Sequence, residues 1–435
     1  MTRDLSPSTP ESVGLSAAGL ERIDALIQTL IDKGELAGAV TLTARHGKTV
    51  HVKAMGAKDV ASGAPMTADS IFRIFSMTKP VTGVAMAILW DEGLWRPEDP
   101  IEQHLPEFAG VRVFDGLDAD GAPKLLPANH PPTMGELMTH TAGLTYGSLP
   151  GDPLDKLYRA AKVWQSANLA EFARKVGGLP LAYQPGSKWV YSLSMDVQGA
   201  IIEKLTGQTL PDFYRTRIFE PLGMVDTAFH IPPEKKPRLS SLYRWTKDDG
   251  LKATPNVLLS GDRESPPGLP IAGGGLVSTA ADYARFAQML LNGGELMGTR
   301  IVSQAALRQQ MSNHLSDALI GGGFGVGLQQ IRPGYGYGWD GSVFYDPAAA
   351  GVPVGEGTYQ WDGAAGTWFW VDPVNDLLFV GMIQLFNEAA TPLQKITQTM
   401  MASAYIPSQH PPGMKLHLSR HWVEAMAAAG VEAVA

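Results

Sequence analysis

The amino-acid sequence predicts an α+β fold: an antiparallel sheet flanked by helices, made from both ends of the chain, with a mainly helical domain inserted between them. Two observations favour it. Runs rich in β-branched and aromatic residues occur near both ends of the 435-residue chain, over 38–55 and 367–385. Between these runs, apolar residues recur at helical spacing and strand-like alternation is scarce. We therefore predict a sheet domain over 1–95 and 270–405, an inserted helical domain over 96–269, and a C-terminal extension over 406–435.

The N-terminal part of the sheet domain is predicted to begin with a helix over 16–33. Its apolar residues recur every three or four positions, Ser16 can cap its start, and Gly34 can end it. Two strands are predicted after this helix, over 38–45 and 49–55, and they are joined as a hairpin.

A second helix is predicted from Ser76 to about Glu92, where Gly93 ends it. It has an apolar face, which indicates that it packs against the core. Inside the inserted domain, Thr133 and Glu136 match a capping box at the start of a helix. The helical patterns of that domain cover 133–139, 154–162, 168–175 and 194–205.

The C-terminal part of the sheet domain alternates helix and strand. A helix is predicted over 279–291, with Thr279 as its cap. Two β-rich runs follow, over 367–372 and 377–385, and a final helix is predicted over about 389–404.

Composition excludes several classes of function. The chain carries 35 basic and 43 acidic residues, a net charge of −8, which disfavours nucleic acid or an anionic membrane as a partner. It has no cysteine, so disulfides, thiolate zinc sites and a cysteine nucleophile are excluded. The N-terminal residues are polar, unlike those of a signal peptide, and the apolar stretches are shorter than the roughly 18 residues of a membrane span. We expect a soluble, cytoplasmic protein.

The sequence Ser76-Met77-Thr78-Lys79 is the only S-x-x-K in the chain. Positions i and i+3 lie on one face of a helix, so the amine of Lys79 can reach the hydroxyl of Ser76. A serine needs an adjacent base to act as a nucleophile, and a lysine removed from water can be that base. The alternative is a surface helix with a serine cap and a solvated lysine. The apolar residues on both sides of the motif favour the functional interpretation.

Two further segments carry groups that such a serine would need. Tyr191 follows a Pro-Gly turn and can pass a proton to a leaving group, although a buried tyrosine with a satisfied hydroxyl is the alternative. The small residues of 361–366 let the backbone pass close to a substrate, and a backbone N–H there could join that of Ser76 in an oxyanion hole. On spacing alone, a turn before a strand is the preferred interpretation of 361–366.

Taken together, these segments resemble the serine β-lactamase and penicillin-binding-protein superfamily, and within it the family VIII carboxylesterases with their statin acyltransferase relatives. The resemblance covers about residues 12–404, and the motifs occur in the family's order and spacing. They are Ser76-Met77-Thr78-Lys79-Pro80, Leu137-Met138-Thr139-His140-Thr141-Ala142-Gly143-Leu144, Tyr191-Ser192, Gly273-Gly274-Gly275-Leu276 and Trp361-Asp362-Gly363.

The resemblance implies a role for each of these positions. Ser76 is the expected nucleophile, Lys79 its base and Tyr191 the partner acid/base. The backbone N–H groups of Ser76 and Ala364 are the expected oxyanion hole, and His140 is structural in the family. The expected substrate-binding residues are Trp361, Gly363 and Tyr146. Neither a metal nor another cofactor is expected.

Two departures from the β-lactamases bear on the substrate. Those enzymes carry Tyr-x-Asn, whereas this chain has Leu193 in place of the amide, and they carry a lysine or histidine where this chain has Trp361. Both changes weaken recognition of a charged lactam. We therefore expect a serine carboxylesterase that hydrolyses small, short-chain esters. A β-lactamase, a D-amino-acid amidase or peptidase, and an acyltransferase are the alternatives.

Other classes are less consistent with the sequence. No G-x-S-x-G is present, which disfavours the conventional esterase fold. His417, His421 and Glu424 could lie on one face of a helix as metal ligands, but the chain has no H-E-x-x-H and a surface helix is the preferred interpretation. A non-catalytic binding protein on this fold is expected to lack Ser76 or Lys79.

Overall fold

The structure, a computed structural model, describes residues 3–147, 153–255, 265–322, 325–326, 329–387 and 393–406. The helices of these ranges are α1 Ala17–Asp32, α2 Thr78–Asp91, α3 Ile101–His104, α4 Met134–Met138, α5 Pro153–Ala161, α6 Leu169–Gly177, α7 Ser194–Thr206, α8 Leu210–Tyr214, α9 Glu220–Leu222, α10 Ala280–Leu291, α11 Gln304–Gln310, α12 Asp317–Gly321, α13 Pro347–Ala350 and α14 Leu393–Ala402. The strands are β1 Ser6–Pro7, β2 Gly38–Arg45, β3 Lys48–Asp59, β4 Ala64–Pro65, β5 Phe72–Arg73, β6 Arg112–Leu117, β7 Pro123–Pro127, β8 Tyr243–Thr246, β9 Gly250–Ala253, β10 Val277–Ser278, β11 Glu295–Leu296, β12 Thr299–Arg300, β13 Gly325–Val326, β14 Gln329–Gln330, β15 Tyr335–Tyr337, β16 Ser342–Phe344, β17 Thr358–Asp362, β18 Trp368–Asp372, β19 Leu377–Met382 and β20 Leu385–Asn387.

The main sheet combines strands from both ends of the chain. Its nine strands lie in the order β1-β3-β2-β19-β18-β17-β16-β15, with β4 added to β3. Neighbouring strands are antiparallel except β1 and β3. The two chain ends meet where β2 pairs with β19, in a register that places Thr41 opposite Gly381. The predicted α+β class is therefore confirmed.

Both faces of this sheet are covered. Successive side chains of a strand point to opposite faces. Trp368 and Trp370 of β18 lie in an apolar cluster with α1 and α14, whereas Phe369 and Val371 lie in the cluster that contains α10. Because neither face of the sheet is exposed to water, the sequence of β18 is mostly a continuous apolar run and does not alternate between apolar and polar residues.

The predicted N-terminal helix and hairpin are confirmed. The side chain of Ser16 accepts a hydrogen bond from the amide of Gly19 and so caps α1, which ends before Gly34. Strand β2 has the predicted bounds of 38–45. Strand β3 continues past the predicted end to Asp59, where it also pairs with β4.

Helix α2 runs through the protein interior. Every residue from Thr78 to Leu89 is buried. The helix was predicted to begin at Ser76, and a 3-10 turn over Phe75–Met77 in fact precedes it. A polar side chain on such a helix must be hydrogen-bonded inside the protein, which makes Lys79 the notable residue of α2.

The segment predicted to be mainly helical contains α3 to α9. The capping box is present, since the Glu136 amide donates to Thr133 Oγ1 and the Thr133 amide donates to Glu136 Oε2. Two hairpins, β6–β7 and β8–β9, were not expected. Most of their residues are exposed or half-buried, so these strands lack the apolar alternation on which strand prediction depends. The division into three domains stays a prediction.

The C-terminal predictions agree with the structure where it describes them. The Thr279 side chain accepts a hydrogen bond from the Asp282 amide and caps α10. The helix predicted over 389–404 corresponds to α14, and residues 388–392 and the extension from 407 onwards lie outside the described residues. Within the described ranges, no helix combines the length and apolar character that crossing a membrane requires.

Phe379 tests how much the packing on the sheet contributes to stability. Its ring is 1% exposed and stacks on Trp370 with the ring centroids 4.5 Å apart. We expect Phe379→Ala to lower the free energy of unfolding by about 3–5 kcal/mol, because it removes a buried ring and leaves a cavity. Val374→Ala, in the turn before the same strand, should change it by less than about 0.5 kcal/mol because Val374 is 59% exposed. Urea denaturation measures both. Similar losses in the two variants would contradict this account of the core.

Candidate active site

Ser76 lies at the N-terminal end of α2, in the turn that connects this helix to β5. The chain reaches it through Ile74 and Phe75, which are both buried, whereas Ser76 itself is half-buried. Its hydroxyl can therefore be approached from outside the protein. A helix N-terminus also favours negative charge on a nearby oxygen.

The residue before Ser76 has an uncommon backbone conformation. Phe75 has a φ of 43°, in the left-handed region that costs a non-glycine residue about 1–3 kcal/mol. Packing maintains this conformation: the buried ring lies in a cluster with Leu242 and Ala365 and meets Phe386 edge to face, with centroids 5.6 Å apart. Strained residues held in this way are typical of functional sites.

Lys79 is the buried partner of Ser76. Its side chain is 0% exposed, and Nζ donates hydrogen bonds to Ser76 Oγ at 3.0 Å and to the carbonyl oxygen of Gly273 at 2.6 Å. The spacing of three residues on a helix brings the two side chains together, as the sequence predicted. The acceptor at Gly273 places the glycine run 273–275 beside this motif.

Tyr191 reaches the same serine from the chain that leads into α7. Its hydroxyl donates to Ser76 Oγ at 2.7 Å, and its ring centroid lies 4.6 Å from Lys79 Nζ. The structure therefore brings three side chains together. Ser76 and Lys79 are one helical turn apart, and Tyr191 is distant from both in the sequence. One oxygen with an amine and a phenol on it can exchange its proton with either group.

Asp196 is a buried acid near this centre that sequence reasoning missed. Its Oδ1 accepts a hydrogen bond from the Gly273 amide at 2.9 Å, while Oδ2 has no hydrogen-bond partner among the described residues. Burial raises the pKa of Asp196 to about 6, against the Gly273 hydrogen bond and the Lys79 charge, which lower it. In the sequence, an acid in the first turn of α7 is expected to interact with the helix dipole, so nothing singles it out.

Asp340 is a second buried acid that interacts electrostatically with Lys79. It sits between β15 and β16 with a left-handed φ of 56°, and its Oδ1 accepts a hydrogen bond from Gln198 Nε2 at 3.0 Å. Burial raises the pKa of Asp340 well above its usual value, although Gln198 and Lys79 act in the opposite direction. No sequence motif marked this residue either.

His140 supports the site without contacting Ser76. The amide of Ser192 donates to Nδ1 of His140 at 3.2 Å, and the Ser192 hydroxyl lies 3.0 Å from the same nitrogen. Burial, and then the charge of Lys79, lower the pKa of His140 well below its usual value, so the ring is neutral. Its centroid is 4.8 Å from that of Tyr191, which it packs against.

The turn after β17 lies against the chain that carries Ser76. The Thr367 hydroxyl donates to the carbonyl of Ile74 at 3.2 Å, and any Cβ on Gly363 would collide with that carbonyl. This close approach accounts for a glycine at 363. Ala364 follows in the turn; it is exposed, and its amide N–H has no backbone acceptor in the described residues. It is the predicted oxyanion donor.

Aromatic side chains form one wall of the site. Trp361 is 2% exposed, and its ring lies 5.7 Å from Tyr191 and 5.3 Å from Tyr337. Tyr146 is half-buried, with its ring 5.4 Å from that of Tyr191 and stacked on Trp164. Both predicted substrate-binding aromatics thus adjoin the tyrosine at Ser76. Leu193, by contrast, is 0% exposed and packs in the core.

The metal alternative has no support in the described ranges, where no group of three or more candidate metal-ligating side chains occurs. His417, His421 and Glu424, which motivated that alternative, lie outside the described residues.

Several known proteins are similar to this chain. The family model described as Beta-lactamase matches residues 23–399. An uncharacterised protein of Mycobacterium tuberculosis is 36% identical over 84% of this chain and 90% of its own, and Esterase EstB of Burkholderia gladioli is 33% identical over 87% and 93%. Simvastatin synthase (LovD) of Aspergillus terreus has a solved structure that covers 91% of this chain and 100% of its own, with a TM-score of 0.76 and 22% identity. The similarity to this solved structure shows that the two proteins have the same fold.

The arrangement predicts selective labelling of one serine. Because Ser76 Oγ is half-exposed and contacts both an amine and a phenol, we expect a fluorophosphonate probe to modify Ser76. Ser194 is the control, since its hydroxyl is buried and bonded to that of Ser192. Peptide mapping by mass spectrometry identifies the adduct. Stoichiometric labelling of a Ser76→Ala variant would show that the nucleophile is another residue.

Proposed function

This chain belongs to the β-lactamase family of serine hydrolases, and we propose that it is a carboxylesterase that hydrolyses small esters through an acyl-enzyme on Ser76. The observation that carries the proposal is the pair of contacts on Ser76 Oγ, from the Lys79 amine at 3.0 Å and the Tyr191 hydroxyl at 2.7 Å. A serine with two proton-exchanging groups has the parts that acyl transfer needs.

Acylation follows from these positions. Ser76 Oγ attacks the ester carbonyl carbon while its proton passes to the Lys79 amine, and a tetrahedral oxyanion forms. The C–O bond to the alcohol then breaks. Tyr191 donates a proton to the departing oxygen, and its phenolate then takes up the proton of the Lys79 ammonium, so that both groups return to their starting protonation. The products of this half-reaction are an acyl-Ser76 ester and the free alcohol.

Deacylation uses the same groups in reverse. A water molecule gives a proton to the Lys79–Tyr191 pair and adds its oxygen to the acyl carbon. The bond from this carbon to Ser76 Oγ breaks, and the serine regains a proton from the pair. The acid leaves, and the site returns to its starting protonation, so one water is consumed for each ester.

The oxyanion in both steps needs hydrogen-bond donors that are fixed in advance. The amide of Ala364 belongs to a turn that the Thr367 hydrogen bond connects to Ile74, and the amide of Ser76 belongs to the 3-10 turn that precedes α2. Preorganised backbone donors of this kind contribute a large share of the rate enhancement of acyl transfer.

An ester is a better match to this site than a charged lactam. Trp361 places a buried indole where a β-lactamase carries a cation, and the neighbouring residues 358–366 include no basic residue. A carboxylate placed there would lose water without gaining an ion pair, which is costly. The relatives that are named for an activity include an esterase at 33% identity, which supports the same substrate class.

Removal of the nucleophile should lower the rate of hydrolysis more than removal of either proton-transfer group. We expect Ser76→Ala to abolish hydrolysis of p-nitrophenyl butyrate above the uncatalysed rate. Lys79→Ala and Tyr191→Phe should each lower kcat by about 10²–10⁴, because each removes one proton-transfer partner. Initial-rate kinetics on purified variants measure these effects.

Matched controls come from residues of the same type elsewhere. Ser303, which caps α11, and Tyr183, whose hydroxyl donates to the Leu144 carbonyl, have no contact with Ser76. Ser303→Ala and Tyr183→Phe should retain kcat within a small factor. If Tyr191→Phe did the same, Tyr191 would be a packing residue and the proposed acid/base role would be lost.

Selectivity between esters and lactams tests the apolar wall. We expect kcat/KM for p-nitrophenyl acetate or butyrate to exceed that for nitrocefin by at least about 100-fold, since an unpaired buried charge costs several kcal/mol. Trp361→Lys supplies a cation and should narrow this ratio. An equal or better rate with nitrocefin, or a ratio unchanged by Trp361→Lys, would contradict the proposed role of Trp361.

A further inference from the structure

We propose that Asp196 is a positioning residue for Lys79: its carboxylate fixes Gly273, whose carbonyl in turn fixes the Lys79 amine beside Ser76, and its negative charge stabilises the ammonium that Lys79 becomes during acylation. The inference rests on the proposed function, because it gives Asp196 a part in the acylation of Ser76. Among the described residues, no hydrogen bond joins Asp196 to Ser76. Nothing in the sequence motifs assigns it a role.

The two backbone groups of Gly273 connect Asp196 to Lys79. The Gly273 amide donates to Asp196 Oδ1 at 2.9 Å, and the Gly273 carbonyl accepts from Lys79 Nζ at 2.6 Å. The residue before it is held by α2, since the Thr82 hydroxyl donates to the Ala272 carbonyl at 2.7 Å. This segment is therefore fixed from α7 by Asp196 and from α2 by Thr82.

The space around Gly273 shows how close the Asp196 carboxyl group is to the Lys79 amine. A Cβ on this residue would lie 3.0 Å from Asp196 Oδ2 and 3.4 Å from Lys79 Nζ. One methyl group would therefore touch both side chains. The carboxylate and the amine therefore both lie beside Gly273.

The carboxylate also has an electrostatic use. Lys79 becomes an ammonium when it takes the proton of Ser76, and a nearby negative charge in a buried site stabilises that cation. Among the described residues, three titratable side chains interact electrostatically with Asp196. They are Lys79 from α2, Tyr146 from the chain after α4 and Tyr214 from α8. Lys79 is the only base among these three.

A carboxylate that served only to hold the structure together would lower the stability of the protein at this position. Asp196 is 1% exposed, and its Oδ2 accepts no hydrogen bond within the described part of the chain. Burying an ionised group with an unused oxygen costs stability. An asparagine could accept the Gly273 hydrogen bond without that cost, so the charge itself points to the chemistry at Lys79.

The first test is Asp196→Asn, which retains an acceptor for the Gly273 amide and removes the charge. We expect kcat for p-nitrophenyl butyrate to fall by about 10- to 100-fold while KM changes little, because the defect lies in a proton-transfer group and not in substrate contacts. Thermal unfolding confirms that the variant is folded. A folded Asp196→Asn with wild-type kcat overturns the proposal.

The pH profile supplies a readout that a purely structural role would not move. Burial raises the Asp196 pKa to about 6, so the charge is lost as pH falls through that value. The wild-type protein should show an acidic limb in kcat/KM near pH 6, with activity rising as pH increases. Asp196→Asn should lack this limb. A limb that persists unchanged in Asp196→Asn contradicts the assignment.

Two other buried aspartates serve as matched controls. Asp282 accepts hydrogen bonds from the Asp226 amide and the Thr227 hydroxyl, away from Lys79, and burial raises its pKa as well. Asp282→Asn should retain the acidic limb. Asp340→Asn should retain it too, and its loss in this variant but not in Asp196→Asn would assign the effect to Asp340 instead.

A second variant tests the connection without changing the acid. Gly273→Ala places a methyl group between Asp196 and Lys79, and Gly273 has no left-handed backbone that would strain an alanine. It should also lower kcat at least about 10-fold with KM little changed, and wild-type kcat would overturn the proposal even if Asp196→Asn failed to fold.

The proposed function and this inference fail in different ways. If Ser76→Ala retained ester hydrolysis, the proposed function itself would be wrong. If Ser76→Ala were inactive while Asp196→Asn and Gly273→Ala matched the wild type in kcat and pH profile, only the positioning role of Asp196 would be lost. Fluorophosphonate titration of active sites ensures that the rates are compared per competent Ser76.

Discussion

The site depends on a lysine amine that is completely buried. Lys79 lies on α2, a helix enclosed by the core from Thr78 to Leu89, so water cannot solvate its Nζ. Removing an amine from water is costly unless it is hydrogen-bonded. The partners that compensate are Ser76 Oγ and the Gly273 carbonyl, and the geometry that stabilises the lysine is the same geometry that brings a base to the serine.

The position of Ser76 is set by segments that are far apart in the chain. The Ile74 amide donates to the Leu276 carbonyl, and the Ile74 carbonyl accepts from the Thr367 hydroxyl. Strand β5 pairs with β10 just before this point. The nucleophile thus follows a short stretch that is held on one side by Leu276 and β10 and on the other by the turn after β17. This anchoring explains how Phe75 can keep a left-handed conformation.

Charge and polarity are divided between two sides of the site. Lys79 and Asp196 both contact the backbone of Gly273, whereas Trp361 and Tyr146 pack against the ring of Tyr191 and form the aromatic wall. The histidine behind this wall is neutral because burial lowers its pKa. Tyr191 belongs to both parts of the site, since its ring packs in the aromatic wall while its hydroxyl donates to Ser76 Oγ.

The sequence by itself determined the α+β class, the helix and hairpin at the N-terminus, and the pairing of Ser76 with Lys79, because these depend on periodicity, capping and a spacing of one helical turn. The resemblance to the family added predictions for Tyr191, Ala364 and Trp361. The exposed hairpins β6–β7 and β8–β9 were missed because neither buries a regular apolar face. Only the tertiary structure shows that Gly273, Asp196 and Asp340 lie near Lys79: no local pattern records that an acid in the first turn of α7, or one between two edge strands, lies near an amine on α2. Burial and proximity across the fold give these residues their chemistry, and neither is written in the neighbouring sequence.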